Sequence, residues 1–383
     1  MGPEADRLAR EAGAPELDLA GYVLLPAAAE THAHLDKALL ADRVGNPSGD
    51  LLGAIEAVRG AYSTMTGADV ASRARRALRI AVSRGFSAIR THVSCEEGFG
   101  TGAIEALVAL RDDVRDTLDL QVIAMAGRPF IGRAGELNRR LLAAALRAGA
   151  DGVGGAPALD DDPPAAVDEL VHAAADAGLP VDLHLDETLD PHSLTIVRFI
   201  EAVERHGLAG RAAASHCVSL GQLDVDAVRS IAERLARNGI AVVTLPQTNL
   251  YLQGRDTPTR VPRALTAIAA LRAAGVVVAG GGDNWRDPFN PLSRIDPFET
   301  ASLLVTAGHL PLCDAFAAVS TIARQAIGLP DVGPFPGAVA DLLAVRARNF
   351  GDAIAHAGED RVVLRHGRVV SRTHVEQVVV PDL

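Results

Sequence analysis

The apolar positions of this chain fall into two alternating periods. Short runs rich in Val, Ile, Leu and Ala, most of them opening at a glycine, are separated by longer stretches in which apolar residues recur every three or four positions. The first run, "GYVLLPAAAETHAH", ends at His34. "GFSAIRTHV" follows the helical pattern "DVASRARRALRIAVSR", and "LDLQVIAMAG" follows "GAIEALVALRDDVRDT". "GADGVGGA", "GLPVDLHLDE", "GRAAASHC", "GIAVVTLP" and "GVVVAGGGDN" continue the series, each after its own helical stretch. Such alternation predicts a parallel sheet, and eight units predict a (β/α)₈ barrel. A doubly wound open sheet would want a glycine-rich phosphate turn after an early strand, and none is present. Both ends break the pattern. "PELDLAGYVLL", "GAVADLLAVRA" and "DRVVLRHGRVVS" read as strands, the last a hairpin turning near His366 and Gly367. The expected organisation is a barrel over 24–328 beside a small β-subdomain built from 1–23 and 329–383.

Composition narrows the function classes. With 48% hydrophobic residues and 22% charged, the chain has the balance of a soluble protein with a large core, packed mostly by Ala, Val and Leu because aromatics make up only 3%. A net charge of −11 without a basic stripe argues against a nucleic-acid partner. Cys95, Cys217 and Cys313 are too widely spaced for a metal pair or a disulfide framework and read as small buried hydrophobes. The N-terminal "MGPEADRLAREAGAPELDLAG" has no apolar segment of signal type, and no run is long enough to span a bilayer. The expectation is a cytoplasmic protein with no membrane partner. A homo-oligomer is compatible with the sequence, although no segment declares an interface.

The polar residues at the strand ends carry the chemistry. His32 and His34 are two apart and share one side of the first strand. His92 ends the second strand, His184, Asp186 and Glu187 the fifth, His216 the sixth, and Asp283 with Asn284 the eighth. In a (β/α)₈ barrel these positions converge on one mouth, where active sites lie. Three imidazoles and a carboxylate, His32, His34, His184 and Asp283, suit one divalent ion such as Zn²⁺ or Fe²⁺. Such an ion makes hydroxide available near neutral pH. Glu187, three residues beyond His184, is then placed as general acid and base, the alternative being a helix cap in "DETLD". The remaining histidines fall in helices or terminal segments and read as solvent-facing. Gln247, Asn249 and Gln253 either line the pocket or order the loop after the seventh strand.

The blocks "ETHAHLDK", "IRTHV", "LHLDET", "ASHC", "LPQTNLYLQGR" and "GGDNWRDPFNP", in that order, resemble the amidohydrolase superfamily, in the branch of cytosine deaminase and the triazine (N-isopropylammelide) aminohydrolases. The resemblance implies a distorted barrel with a small β-sandwich, here reduced because few residues precede the barrel. It implies a single metal on His32, His34, His184 and Asp283, proton shuttling by Glu187, and His216 beside the metal water. Many superfamily members bridge two metals with a modified lysine on a middle strand. Lys37 is the only lysine of this chain, so that form is excluded. A compact ammonium at Lys37 would donate to a substrate carbonyl; the alternative is a surface residue with no role. The glutamine that ends the third strand in cytosine deaminase is replaced by Gly127 followed by Arg128, and the second carboxylate of the last strand by Asn284. Cytosine is therefore a poor expectation. Arg128 is assigned to a substrate carbonyl or carboxylate, Asn284 to the substrate site, and Trp285 either to a wall against an aromatic ring or to the core.

The leading expectation is a metal-dependent deaminase that hydrolyses a C–N bond of a small nitrogen heterocycle, a cyclic amidine. The rival enzyme reading cleaves a ring amide or N-acyl bond at the same site. A barrel retired to a binding role would be expected to have lost a ligand or the shuttle, and the sequence retains all of them.

Overall fold

Pro26 divides the first predicted strand in two. Tyr22–Pro26 (β1) and Ala28–Ala33 (β2) are consecutive in the chain yet belong to different sheets of the computed structural model. A proline cannot donate to a sheet ladder, which suits it to an edge strand such as β1. The structure describes residues 16–376 with Arg7, Val378 and Val380. Most of the N-terminal segment read above as lacking a signal, and the first part of the expected subdomain, lie outside the described residues.

β2 opens the barrel. It continues through Phe86–Cys95 (β3), Asp119–Ala126 (β4), Gly152–Gly155 (β5), Val181–Leu185 (β6), Ala212–His216 (β7), Ala241–Thr244 (β8) and Val278–Gly280 (β9), each strand parallel to the one before. A parallel bridge between Ala33 and Asp283 closes the ring, with the Asp283 N–H donating to the His32 carbonyl at 2.9 Å. The strands are buried on both faces, which explains their unbroken apolar runs.

Helices Leu51–Ala61 (α1) and Gly67–Arg84 (α2) follow β2. Gly102–Val114 (α3), Glu136–Arg147 (α4), Pro163–Ala177 (α5), Thr195–His206 (α6) and Val225–Arg237 (α7) follow the next five strands. Pro246–Leu252 (α8) and Ile268–Ala273 (α9) lie between β8 and β9, and Pro297–Thr306 (α10), Leu312–Ala318 (α11) and Thr321–Ala326 (α12) come after β9. α2 shows how the sequence sets these limits. The Thr66 side chain accepts from the Asp69 N–H at its start, Val70, Ala74, Ala77, Leu78 and Ala81 bury one stripe, and Gly85 at φ +108° ends it. A Cβ on Gly85 would also fall 2.6 Å from Leu343, so no other residue fits both turn and neighbour.

β1 joins Leu342–Arg346 (β10), Arg361–Arg365 (β11) and Arg368–Arg372 (β12) in a four-stranded antiparallel sheet, with Phe350–His356 (α13) between β10 and β11. The expected hairpin at His366–Gly367 joins β11 to β12. Two ion pairs dock this sheet on the barrel, the buried Arg361 to Asp296 at 2.6 Å and the part-buried Arg365 to Asp119 at 2.7 Å. The expectation for the cysteines fails at one position. Cys95 and Cys217 are buried, but Cys313 is exposed because α11 turns Ala315, Phe316 and Ala318 inward instead. Among the described residues no helix is long and apolar enough to cross a membrane.

Candidate active site

β2, β6 and the turn after β9 bring four donor atoms together. His32 Nε2 lies 3.0 Å from His184 Nε2, and His184 Nε2 lies 3.2 Å from His34 Nε2. Asp283 Oδ1 is 3.3 Å from His34 Nε2 and 3.8 Å from His32 Nε2, with no hydrogen-bond partner of its own. Burial, followed by neighbouring positive groups, holds the three imidazoles well below their ordinary titration range, so they are neutral. Burial likewise raises Asp283.

The backing hydrogen bonds settle which nitrogens face inward. Arg90 pairs with Asp182 at 2.9 Å, Ser215 donates to Asp182 at 2.8 Å, and His32 Nδ1 lies 2.9 Å from the Ser215 oxygen. With the hydroxyl proton committed to Asp182, Ser215 accepts from His32 Nδ1–H, and Nε2 presents a lone pair. The His92 carbonyl does the same for His34, taking Nδ1–H at 3.0 Å. Two imidazole lone pairs and an unpaired carboxylate oxygen thus converge with His184 at spacings near the roughly 3.3 Å edge of a tetrahedral site with bonds of about 2.0–2.1 Å. The residues fit a divalent cation.

Glycines let the last strand come this close. A Cβ on Gly281 would lie 2.6 Å from Glu30 Oε1. Glu30 is buried, accepts from the His32 and Gly282 N–H groups, and is pushed up to about 8 by burial. Asp186, His216 and Asp283 all take left-handed backbone at φ +51°, +70° and +62°. Such conformations cost on the order of 1–3 kcal/mol each and gather at functional sites.

Glu187 and His216 stand beside the cluster. Glu187 Oε1 is 3.5 Å from His216 Nδ1, and His216 Nε2 is 3.8 Å from Asp283 Oδ2. Burial, then the Asp283 charge, pushes Glu187 well above the usual carboxylate range. The cap considered for Glu187 belongs instead to Asp186, which accepts from the Thr195 and Ile196 N–H groups at 2.8 and 3.0 Å.

A cavity of about 730 Å³ of empty space, partly open to solvent, lies over these groups. Lys37, Arg128 and Asn284 line it together with His34, His184 and Glu187. Lys37 is no surface residue: it is 5% exposed and donates to Asp36 and Ser94, each at 3.2 Å. Its ammonium also lies 3.2 Å from His34 Nδ1, but there donor faces donor, so that approach is not a hydrogen bond. Arg128 donates to the Leu159 carbonyl at 2.9 Å. Trp285 does not line the cavity. It is 1% exposed in the core, with Phe86 at 6.1 Å between ring centres. Gln247, Asn249 and Gln253 do not line it either. They donate to Thr300, His216 and the Glu187 carbonyl.

Several cavity residues escaped the sequence reading. Leu51, Ile55, Val58 and Arg59 of α1, with Tyr62, Ser94, Glu96 and Phe289, are among the lining residues. Only the two charges in "SCEEG", just past a barrel strand, gave a signal for any of them.

Donors of this kind at the mouth of a barrel make a candidate site for a divalent metal in an enzyme's usual place. The chain belongs to the amidohydrolase family, whose model matches residues 37–379. A pterin deaminase of Rhizobium rhizogenes is 35% identical over 362 residues, covering 93% of this chain and 82% of that protein. The structure of 5-methylcytosine deaminase from Klebsiella pneumoniae liganded with phosphonocytosine superposes with a TM-score of 0.86 at 27% identity, covering 96% of this chain and 91% of that one. N-isopropylammelide isopropylaminohydrolase from Burkholderia multivorans gives 0.81 at 30% identity, with 94% and 91% covered. The protein is a hydrolase of carbon–nitrogen bonds other than peptide bonds.

Proposed function

We propose that this enzyme is a mononuclear metal-dependent aminohydrolase that removes an amino or alkylamino group from a nitrogen heterocycle. The observation that carries the reading is Glu187, a carboxyl 13% exposed and 3.5 Å from His216, which lines the cavity at the edge of a four-donor cluster. His32, His34, His184 and Asp283 would hold Zn²⁺ or Fe²⁺. When bound there, the ion lowers the pKa of a water toward about 7.

Glu187 takes a proton as the water oxygen adds to the ring carbon bearing the amine, and gives it to the adjacent ring nitrogen. Burial and the nearby Asp283 charge raise its pKa, which favours its holding that proton. His216 steadies the charge that develops beside Asp283. A second transfer through Glu187 protonates the departing nitrogen, the C–N bond breaks, and ammonia or an alkylamine leaves with the ring now carrying a carbonyl. Lys37, Arg128 and Asn284 orient the ring from the cavity wall. The similarity to deaminases of pterin and 5-methylcytosine supports a heterocyclic substrate.

The test is release of ammonia or alkylamine from amino-pyrimidines, aminopurines, pterins, aminotriazines and alkylaminotriazines by protein of verified metal content, with Glu187→Gln as the blank. Release that vanishes in the blank is the expected result. Silence across the panel with metal in place would sink the reading in favour of amide hydrolysis.

A further inference from the structure

A third carboxylate reaches the cavity, and the mechanism above does not use it. Besides Glu187 and Asp283, the only acidic side chain lining the cavity among the described residues is Glu96. It follows β3 directly, and Gly127 follows β4 directly. Because Cys95 pairs with Ala126, Glu96 and Gly127 are next in register. A Cβ on Gly127 would fall 2.0 Å from the Glu96 Cβ, so Gly127 has no side chain because Glu96 occupies that space.

The carboxylate is held from the far side. Tyr62 donates its hydroxyl to Oε1, and Arg59 donates to Oε2 at 2.5 Å. Each oxygen accepts one such bond, and a carboxylate offers about four acceptor positions and no donor. The side chain is 12% exposed. Arg59 balances its charge, so the group stays a pure acceptor that is already oriented before any ligand arrives. Among the described residues Arg128 makes no hydrogen bond to Glu96; its guanidinium donates to the Leu159 carbonyl.

We infer that Glu96 is the specificity-determining residue of the substrate site, and that it accepts two hydrogen bonds from an amidine edge, a ring N–H beside an amino group, on the side of the heterocycle that does not react. This deepens the reading under Proposed function and rests on it. A paired carboxylate and amidine edge makes two parallel charge-assisted bonds. A ring that presents a carbonyl beside the N–H sets acceptor against acceptor and is rejected.

The test compares matched pyrimidine, pteridine and triazine pairs that differ by exchange of that carbonyl for an amine, as cytosine differs from 2,4-diaminopyrimidine, which presents N–H beside its 2-amino group in the form protonated on N1. The wild-type protein is expected to favour the amine-bearing member in kcat/KM. Glu96→Gln keeps the shape and an acceptor for Tyr62 or Arg59 but turns one acceptor into a donor. It is expected to move the ratio toward the carbonyl-bearing member by on the order of tenfold or more. Tyr62→Phe, which loosens the carboxylate without changing its chemistry, should lower both members and leave the ratio in place. An unchanged ratio in Glu96→Gln, or a uniform loss that Tyr62→Phe reproduces, makes Glu96 a latch for α1 and overturns the inference. Silence of the wild-type protein on every pair is a different result and overturns the proposed function itself.

Discussion

Asn249 donates its side-chain amide to Nδ1 of His216 across 3.1 Å. Nδ1 therefore accepts, the ring proton sits on Nε2, and Nε2–H points toward Asp283 Oδ2. His216 is 1% exposed, and burial holds it down at about 4, so the imidazole stays neutral at physiological pH. Asn249 belongs to α8, and its role is to orient a ring as well as to order the segment after β8.

Replacing Asn249 by leucine removes that donor while filling a similar volume. The imidazole is then free to exchange tautomers, and kcat should fall by about tenfold or more with metal content unchanged. Steady-state kinetics beside a metal assay checks this, and an unaltered kcat would show that the tautomer is held by other means.

Ser215 is the link between the Arg90–Asp182 pair and His32. Ser215→Ala leaves all four donors in place but frees the Nδ1 side of His32. Loss of such an outer contact typically costs 10- to 100-fold in metal affinity. Chelator competition on the purified variant measures it. Equal affinity in variant and wild type would mean that Ser215 serves packing alone.

Lys37→Arg probes the only lysine. A planar guanidinium is larger than the ammonium now wedged between Asp36 and Ser94 in a nearly closed space. Metal should stay bound, since no donor atom is changed, while kcat/KM drops by at least about tenfold through misplacement of the ring. A fully active variant would remove Lys37 from the substrate site.

Glu30 gives a pH signature. Its folded carboxyl titrates at about 8, against about 4.3 for an unfolded glutamate. Between these values the folded chain keeps a proton that the unfolded chain releases, so this residue's contribution to stability is present in acid and declines as pH rises from about 4 to about 8. Glutamine at the position cannot ionise and retains the oxygen that accepts from His32 and Gly282. In chelator-treated protein the melting temperature of Glu30→Gln should therefore gain on wild type as pH rises through that window. A constant difference would place the Glu30 carboxyl in the ordinary range.

Much of this was legible in the chain itself. Strand-helix alternation with glycine stops encodes the barrel, and strand ends deliver His32, His34, His184 and Asp283 to one mouth whatever the loops do. Other features depend on information that spacing does not carry. Glu96 lies more than thirty positions from Arg59 and Tyr62, and only the path of α1 over the mouth joins them. Trp285 packs into the core beside Phe86 while its neighbour Asn284 lines the cavity, a division that a run of residue types does not announce. Asp186 and Glu187 are adjacent acids in a strand-end sequence, and the backbone reversal at Asp186 decides which one caps a helix and which one faces the cavity.

The bridge between Ala33 and Asp283 has a consequence for how the protein is made. The seam of the barrel is also the seam of the donor cluster: His32 and His34 come from its first strand and Asp283 from the turn after its last. A nascent chain emerging from its N-terminus carries the three imidazoles long before the carboxylate, and nothing can complete the set until β9 has docked against β2. Completion of the donor set therefore coincides with closure of the barrel, and a chain halted before residue 278 would be a barrel missing one stave and lacking the carboxylate of the set.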